Sequence, residues 1–336
     1  MNIKSQLTIL TLPIPEGPLG TRSRVWLATR ALNYSLRGLK LPLYGGHFAV
    51  TRSIIEGSQK ANLPTNYNPS NISDVAKKVH VLSGVLPLRQ MISWKRKGII
   101  DQLSCGPNIV LRSNEHNSII ASQEVDAVVN HCDWACEFWA HDHPKLLQYC
   151  LYWGAGVDHE YWKPPRYSRR DRILILDKRD SNQDPSRISQ YVDHLKACGW
   201  PVDIITRTIN SGYTHIHYRS LLHRAALLVG FTVGSESQGI AWAEAWASDV
   251  PTLILQQTRN SIQGISFRCS TAPFLSSETG MFFNDFSDFK SKFSYWSSRS
   301  YAFSPRRWVL SNMTDELASR DLYCKLQKLN FPKKSS

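Results

Sequence analysis

A chain of 336 residues, 42% of them hydrophobic, carries more apolar material than one core usually organises, so two domains of ordinary size are expected. Forty Lys and Arg against 27 Asp and Glu leave a formal charge of +13, which asks for an anionic partner, whether nucleic acid, a membrane surface or a phosphorylated ligand. No run reaches the roughly 20 apolar residues of a membrane-spanning helix, and MNIKSQLTILTLPIP lacks an export cleavage site, so a soluble cytoplasmic protein is expected.

In chain order, LTILTLP (7–13) predicts a buried strand, PEGPLG (15–20) a turn, and 21–38 a helix with apolar residues at 25, 28, 32 and 36. Strands are predicted at 79–84, 108–113 and 126–130, with helical segments between them. Cys132 and Cys136 stand at helical spacing beside Trp134, Phe138 and Trp139, which reads as buried core thiols rather than half a metal site. The odd count of seven cysteines suits a reducing compartment.

Periodicity breaks over 154–171, where glycines, prolines and basic residues cluster, and this marks a domain boundary. Alternation resumes with strands predicted at 172–177, 201–206, 225–231 and 251–255 and helices at 184–198 and 237–248. The last part, 304–329, reads as helical after a poorly patterned, serine-rich and aromatic-rich stretch. The expected organisation is a first α/β domain at 1–155, a linker at 156–170 and a second α/β domain at 171–303. A final helical segment at 304–336 could cross back to the first domain. Open parallel sheets bind ligands beyond the carboxyl ends of their strands.

The most informative stretch is GFTVGSESQGIAWAEAWASDVPTLIL, 230–255. Its helix is apolar from Ile240 to Ala247 except at Glu244, and a buried carboxylate is costly unless something donates hydrogen bonds to it. That partner is either a basic side chain from a neighbouring helix or the vicinal hydroxyls of a ribose. Ser235 or Ser237 can cap the helix, and the amides of Ser237, Gln238 and Gly239 can seat a phosphate. Gly239 permits close backbone approach.

SESQGIAWAEAWASDVP resembles the Glu, seven residues, Glu segment of retaining GT-B glycosyltransferases, especially family 4, with Glu236 and Glu244 at the family spacing. GVDHEYWKPP (156–165) is similar to the segment by which these enzymes pass from their first domain to their second. The resemblance implies an α/β GT-B fold, two Rossmann-like domains facing each other across a cleft. By it, Glu244 binds the ribose hydroxyls of a nucleotide-diphosphate-sugar and Glu236 the hydroxyls of the donor sugar. Lys178 and Arg179, in LDKRDSNQD, take the places of the cations that hold the diphosphate, although the family's glycines are missing there. Gly17 and Gly20 correspond to the glycine-rich loop facing the transferred sugar. His80 and the stretch with Glu115 and His116 are candidates for the acceptor side, and His116 is the one chosen.

The implied activity is sugar transfer to a glycan or lipid-linked acceptor, hexosyltransferase-like, with retention and with no metal or other cofactor, as in polysaccharide biosynthesis. Arg22, Arg24, Arg30, Arg37 and Lys40 on the 21–40 helix, and Trp94-Lys95-Arg96-Lys97, could rest on an anionic membrane surface, placing the protein peripherally on the inner face. The competing readings are a GT-B-like sugar-nucleotide epimerase, a nucleic-acid-binding protein and an inactive binding module. Basic residues spread over both domains speak against nucleic acid.

Overall fold

Residues Ile173 to Leu176 show how the molecule is layered. Successive strand side chains point to opposite faces. Leu174 and Leu176 join one core with Trp242 and Trp246, while Ile173 and Ile175 join another with Phe289 and Phe293. A strand buried on both faces belongs to a parallel sheet covered by helices on each side.

A computed structural model describes residues 6–11, 46–69, 71–167, 169–179, 183–208, 212–232 and 234–329. The turn at 15–20 with Gly17 and Gly20, and the whole of the basic 21–38 helix with it, lie outside the described residues. The described residues divide into two compact units, the first comprising 6–11, 46–156 and 315–329, the second those between 157 and 314. The division falls between Gly156 and Val157, and the stretch read as a linker is built into the second unit, where Val157 and Trp162 lie in the core.

In the first unit, strands β1 (Leu7–Leu10), β2 (Thr65–Tyr67), β3 (Lys78–Ser83), β4 (Gln102–Asn108), β5 (Ala127–Asn130) and β6 (Cys150–Tyr152) form one sheet of order β2-β1-β3-β4-β5-β6. Every neighbouring pair is parallel. The strand expected at 108–113 lies instead at Gln102–Asn108. A Gly-Pro pair inside it reads as a turn, yet Gly106 is needed in the sheet because a Cβ there would lie 2.1 Å from the Val129 carbonyl oxygen. The last helix, Asp315–Gln327, packs on helix Gly46–Lys60 of this unit. They approach closely at Gly57, where a Cβ would stand 2.1 Å from the Asp315 carbonyl oxygen.

One cysteine expectation is corrected. Cys136 is joined to Cys150 in a disulfide, while Cys132 is a free, buried thiol. Helix Asp133–Ala140 follows β5, and β6 returns beside β5, which brings Cys150 against that helix. Helical spacing shows only partners three or four residues away, so this pairing is invisible to it. Disulfides belong to oxidising environments, and the cysteine usage therefore does not argue for a reducing compartment.

In the second unit, β7 (Arg172–Lys178), β8 (Val202–Arg207), β9 (Ala225–Phe231), β10 (Thr252–Leu255) and β13 (Gly280–Phe283) form a parallel sheet of order β13-β10-β9-β7-β8. An antiparallel hairpin, β11 (Arg259–Ile262) and β12 (Ile265–Arg268), stands apart from it. The strand order is that of a doubly wound α/β sheet, with its reversal between β7 and β9. Among the described residues, no helix is long and apolar enough to cross a membrane.

Candidate functional site

At the β7/β9 reversal, connections leave on opposite sides of the sheet and open a crevice beyond the strands' carboxyl ends. Lys178 ends β7, and the segment that follows β9 leads into helix Ile240–Ala247. That segment is pinned along its length. Thr232 donates to the Gly234 carbonyl at 2.8 Å, Asn260 donates to Ser235 Oγ at 3.2 Å, and the Glu236 amide donates to the Ser270 carbonyl at 2.9 Å.

Gly239 is the residue that begins the helix, with φ at +67°, and no side chain caps it. The expected serine cap does not form: Ser235 and Ser237 stop short of the cap position, and Ser235 serves the hairpin residue Asn260 instead. A Cβ at Gly239 would lie 2.5 Å from Trp242 Cδ1, and one at Gly230 would lie 2.6 Å from the far edge of the same indole. The two glycines thus make the slot for Trp242, whose Nε1 donates to the Thr271 carbonyl at 2.9 Å. The uncapped leading amides of such a helix are available to an anion.

Glu244 is 5% exposed, and every residue from Ala241 to Ala247 is buried. Its carboxylate has no arginine or lysine partner among the described residues. Instead His215 Nε2 stands 3.6 Å from Oε1. His215 opens helix His215–Leu222, whose cap Thr214 accepts from the His217 amide, and its ring lies 5.9 Å from that of Trp162. Burial, with the Glu244 charge second, raises the Tyr213 hydroxyl pKa. Tyr218, raised further by burial, donates to the Ala241 carbonyl.

The structure brings Lys178 and Glu236 together: Nζ lies 2.7 Å from Oε1 and 4.7 Å from the centre of the Trp242 ring. Arg179 is turned back towards Asp177 at 3.6 Å, and Arg187 pairs with the same carboxylate at 2.5 Å while donating to the Lys178 carbonyl. Asp177 is 1% exposed, so two guanidinium groups share one buried acid at the end of β7. Gln238 is buried and Ser237 half-buried. Sequence reasoning missed Arg187, Tyr213, His215 and Trp242. Trp242 stood inside the motif and was read only as apolar, whereas the others carry no spacing signal.

The remaining candidates belong to the first unit. His80 is completely buried in β3, its Nδ1 3.0 Å from Ser104 Oγ, and burial lowers its pKa to about 3. A histidine so placed is a neutral core residue. His116 is exposed, with Asn117 and Ser118 in a run of three left-handed residues, and makes no hydrogen bond or ion pair among the described residues. In the Trp94–Lys97 cluster, Trp94 is buried, Lys95 pairs with Asp126 and Arg96 with Glu124. Among the described residues, no group of three His, Cys, Asp or Glu is placed to hold a metal ion.

No family model and no curated protein sequence matches the chain. Solved structures do. A glycosyltransferase from Rickettsia africae is 12% identical, with 99% of this chain and 100% of that one covered and a TM-score of 0.52. HepE of Anabaena, solved in complex with UDP-glucose, is 8% identical over 96% of this chain and 99% of that one, with a TM-score of 0.50. An accessory secretory protein structure from Streptococcus pneumoniae is 11% identical over 73% of this chain with a TM-score of 0.46, and the chain spans 56% of its length. The fold is that of the GT-B glycosyltransferases, with two Rossmann-like domains.

Proposed function

We propose that this chain is a glycosyltransferase that takes a nucleotide-diphosphate-sugar donor at the carboxyl ends of β7 and β9. One observation carries the reading: Glu244 is a buried carboxylate in an otherwise apolar helix at the sheet's reversal point, with a histidine at 3.6 Å and no arginine or lysine beside it among the described residues. Two ribose hydroxyls would satisfy it by donating to its two oxygens. His215 would hold the carboxylate in place.

The diphosphate would lie against the amides at the start of the helix, within reach of Lys178. Breaking the glycosidic bond leaves the electron pair on the diphosphate oxygen, so negative charge grows there. Fixed donors aimed at that charge lower the barrier. Glu236, 2.7 Å from Lys178, would accept from hydroxyls of the donor sugar and keep the ammonium oriented between donors. Transfer of a hexose with retention, without a metal, to a glycan or lipid-linked acceptor follows from the resemblance of the 236–244 segment. The basic residues between 22 and 40 would draw the chain to an anionic membrane surface.

The test is a melting-temperature screen with UDP-, GDP- and ADP-glucose, led by UDP-glucose because HepE is seen with it. A ligand at 100 times its Kd stabilises the native state by about 2.7 kcal/mol, enough to raise Tm by several degrees. We expect one nucleotide to do so and Glu244→Gln to weaken its binding at least tenfold. A flat response from all three at millimolar concentration would overturn the proposal, and conversion of the donor without acceptor would favour the epimerase.

A further inference from the structure

Strand β7 sorts its last charged residues by face. Leu174 and Leu176 lie in the core with Trp242, and Lys178 follows them at the same period, its Nζ 4.7 Å from the centre of the Trp242 ring. Asp177 and Arg179 continue instead from Ile173 and Ile175, which face Phe289 and Phe293. Arg179 stands 3.6 Å from Asp177 there, and Arg187 closes on the same carboxylate. Neighbours along a strand point to opposite faces, so of the Lys178-Arg179 pair only Lys178 faces the Glu244 helix.

A second cation stands one strand away. Arg207 ends β8 and is the register partner of Lys178, about 4.8 Å from it at the spacing of neighbouring strands. Ile205, two residues earlier, lies in the core with Trp242, so Arg207 is on the Lys178 face. The Arg179 amide donates to the Arg207 carbonyl at 3.0 Å, which fixes the strand end and leaves the Arg207 side chain to reach beyond it. The Tyr213 hydroxyl locates that side chain further. Its pKa is raised by burial and by Glu244, lowered by Arg207 and raised by Glu236, so all three charges act at one point of the crevice.

The charge balance of the crevice gives Arg207 a task. Lys178 is neutralised by Glu236 at 2.7 Å, and Glu244 has His215 at 3.6 Å. Arg207 is exposed, and its side chain makes no ion pair or hydrogen bond among the described residues. A diphosphate diester carries two negative charges and gains a third as the sugar leaves. An ammonium already paired with a carboxylate offsets little of that charge, whereas a guanidinium presents a fork of donors matched to phosphate oxygens. We propose, on the donor reading of this crevice and resting on it, that Arg207 is the cation that grips the donor's diphosphate, in the place the sequence assigned to Arg179.

The test is calorimetric titration of the full chain with UDP, GDP and ADP at physiological ionic strength and, for whichever binds tightest, with its nucleoside. Arg207→Gln and Arg179→Gln each remove one positive charge, so the long-range field falls equally and only a contact separates them. Arg207→Gln should weaken the diphosphate tenfold or more and the nucleoside less than threefold, while Arg179→Gln should weaken the diphosphate less than threefold. Because Arg207 is exposed, its replacement should leave the urea midpoint unchanged. Equal losses from the two substitutions, or a nucleoside weakened as much as the diphosphate by Arg207→Gln, would overturn the proposal. If Glu244→Gln weakens the nucleoside while Arg207→Gln weakens nothing, the donor site stands and the role of Arg207 falls. If no nucleotide binds the unaltered chain, both fall.

Discussion

Lys178 and Glu236 neutralise one another, and a donor entering between them must exchange that pairing for its own phosphates and hydroxyls. Such an exchange works only if the loop holding Glu236 is rigid, and the rigidity is traceable to Gly239. A non-glycine residue in the left-handed region is strained by about 1–2 kcal/mol, and a Cβ at 2.5 Å from Trp242 adds a clash. Trp242 cannot easily retreat, because Gly230 bounds its other edge and Thr271 holds its nitrogen. Gly239→Ala should therefore lower the urea midpoint, with a loss of about 2–4 kcal/mol, whereas an unchanged midpoint would mean that the turn is not left-handed in solution.

At the scale of elements, what was legible was whatever lies buried on both faces. AALLVGF coincides with β9, and RILILD falls within β7, because a continuous apolar run bounded by polar residues has one stable use in a parallel sheet. Helix Phe286–Ser298 was read as unpatterned, yet Phe286, Phe289, Phe293 and Trp296 lie at helical spacing, and the last three are buried. Serines between them hid the period. Glu236 and Glu244 stood out because a carboxylate in an apolar helix is conspicuous. His215, beside Glu244, comes from another element, as does Arg187, beside Asp177, and only the sheet order brings them near. The Cys136–Cys150 bond is likewise a product of strand order. It closes a loop of 14 residues, for which the chain-entropy argument gives about 3 kcal/mol. Reduction with dithiothreitol, followed by thiol counting under denaturing conditions, should release two more thiols than the untreated chain and lower stability by about that amount. Seven free thiols in the untreated chain would refute the bond.

For the whole molecule, the decisive feature is that the first unit is built from both ends of the chain. The chain leaves it at Gly156 and returns at Asp315. The return is fixed by Arg52, whose guanidinium donates to both Asp315 carboxylate oxygens, at 2.5 and 2.9 Å, with Glu56 at 3.4 Å from the same group. All three side chains are nearly inaccessible to water. Removing one partner of a buried pair leaves the other charge uncompensated, a loss of about 3–5 kcal/mol, whereas replacing both by apolar residues is often neutral. Glu56 remains beside Arg52, so the lower figure applies to Asp315→Asn. That variant should lose about 3 kcal/mol and open helix Gly46–Lys60 to hydrogen exchange, and the triple variant Arg52→Met, Glu56→Met, Asp315→Leu, which leaves no charge of the cluster behind, should recover most of the loss. If the single substitution were neutral and exchange in Gly46–Lys60 unchanged, the last helix would not be held by this ion cluster, and the first unit would depend on its apolar contacts alone.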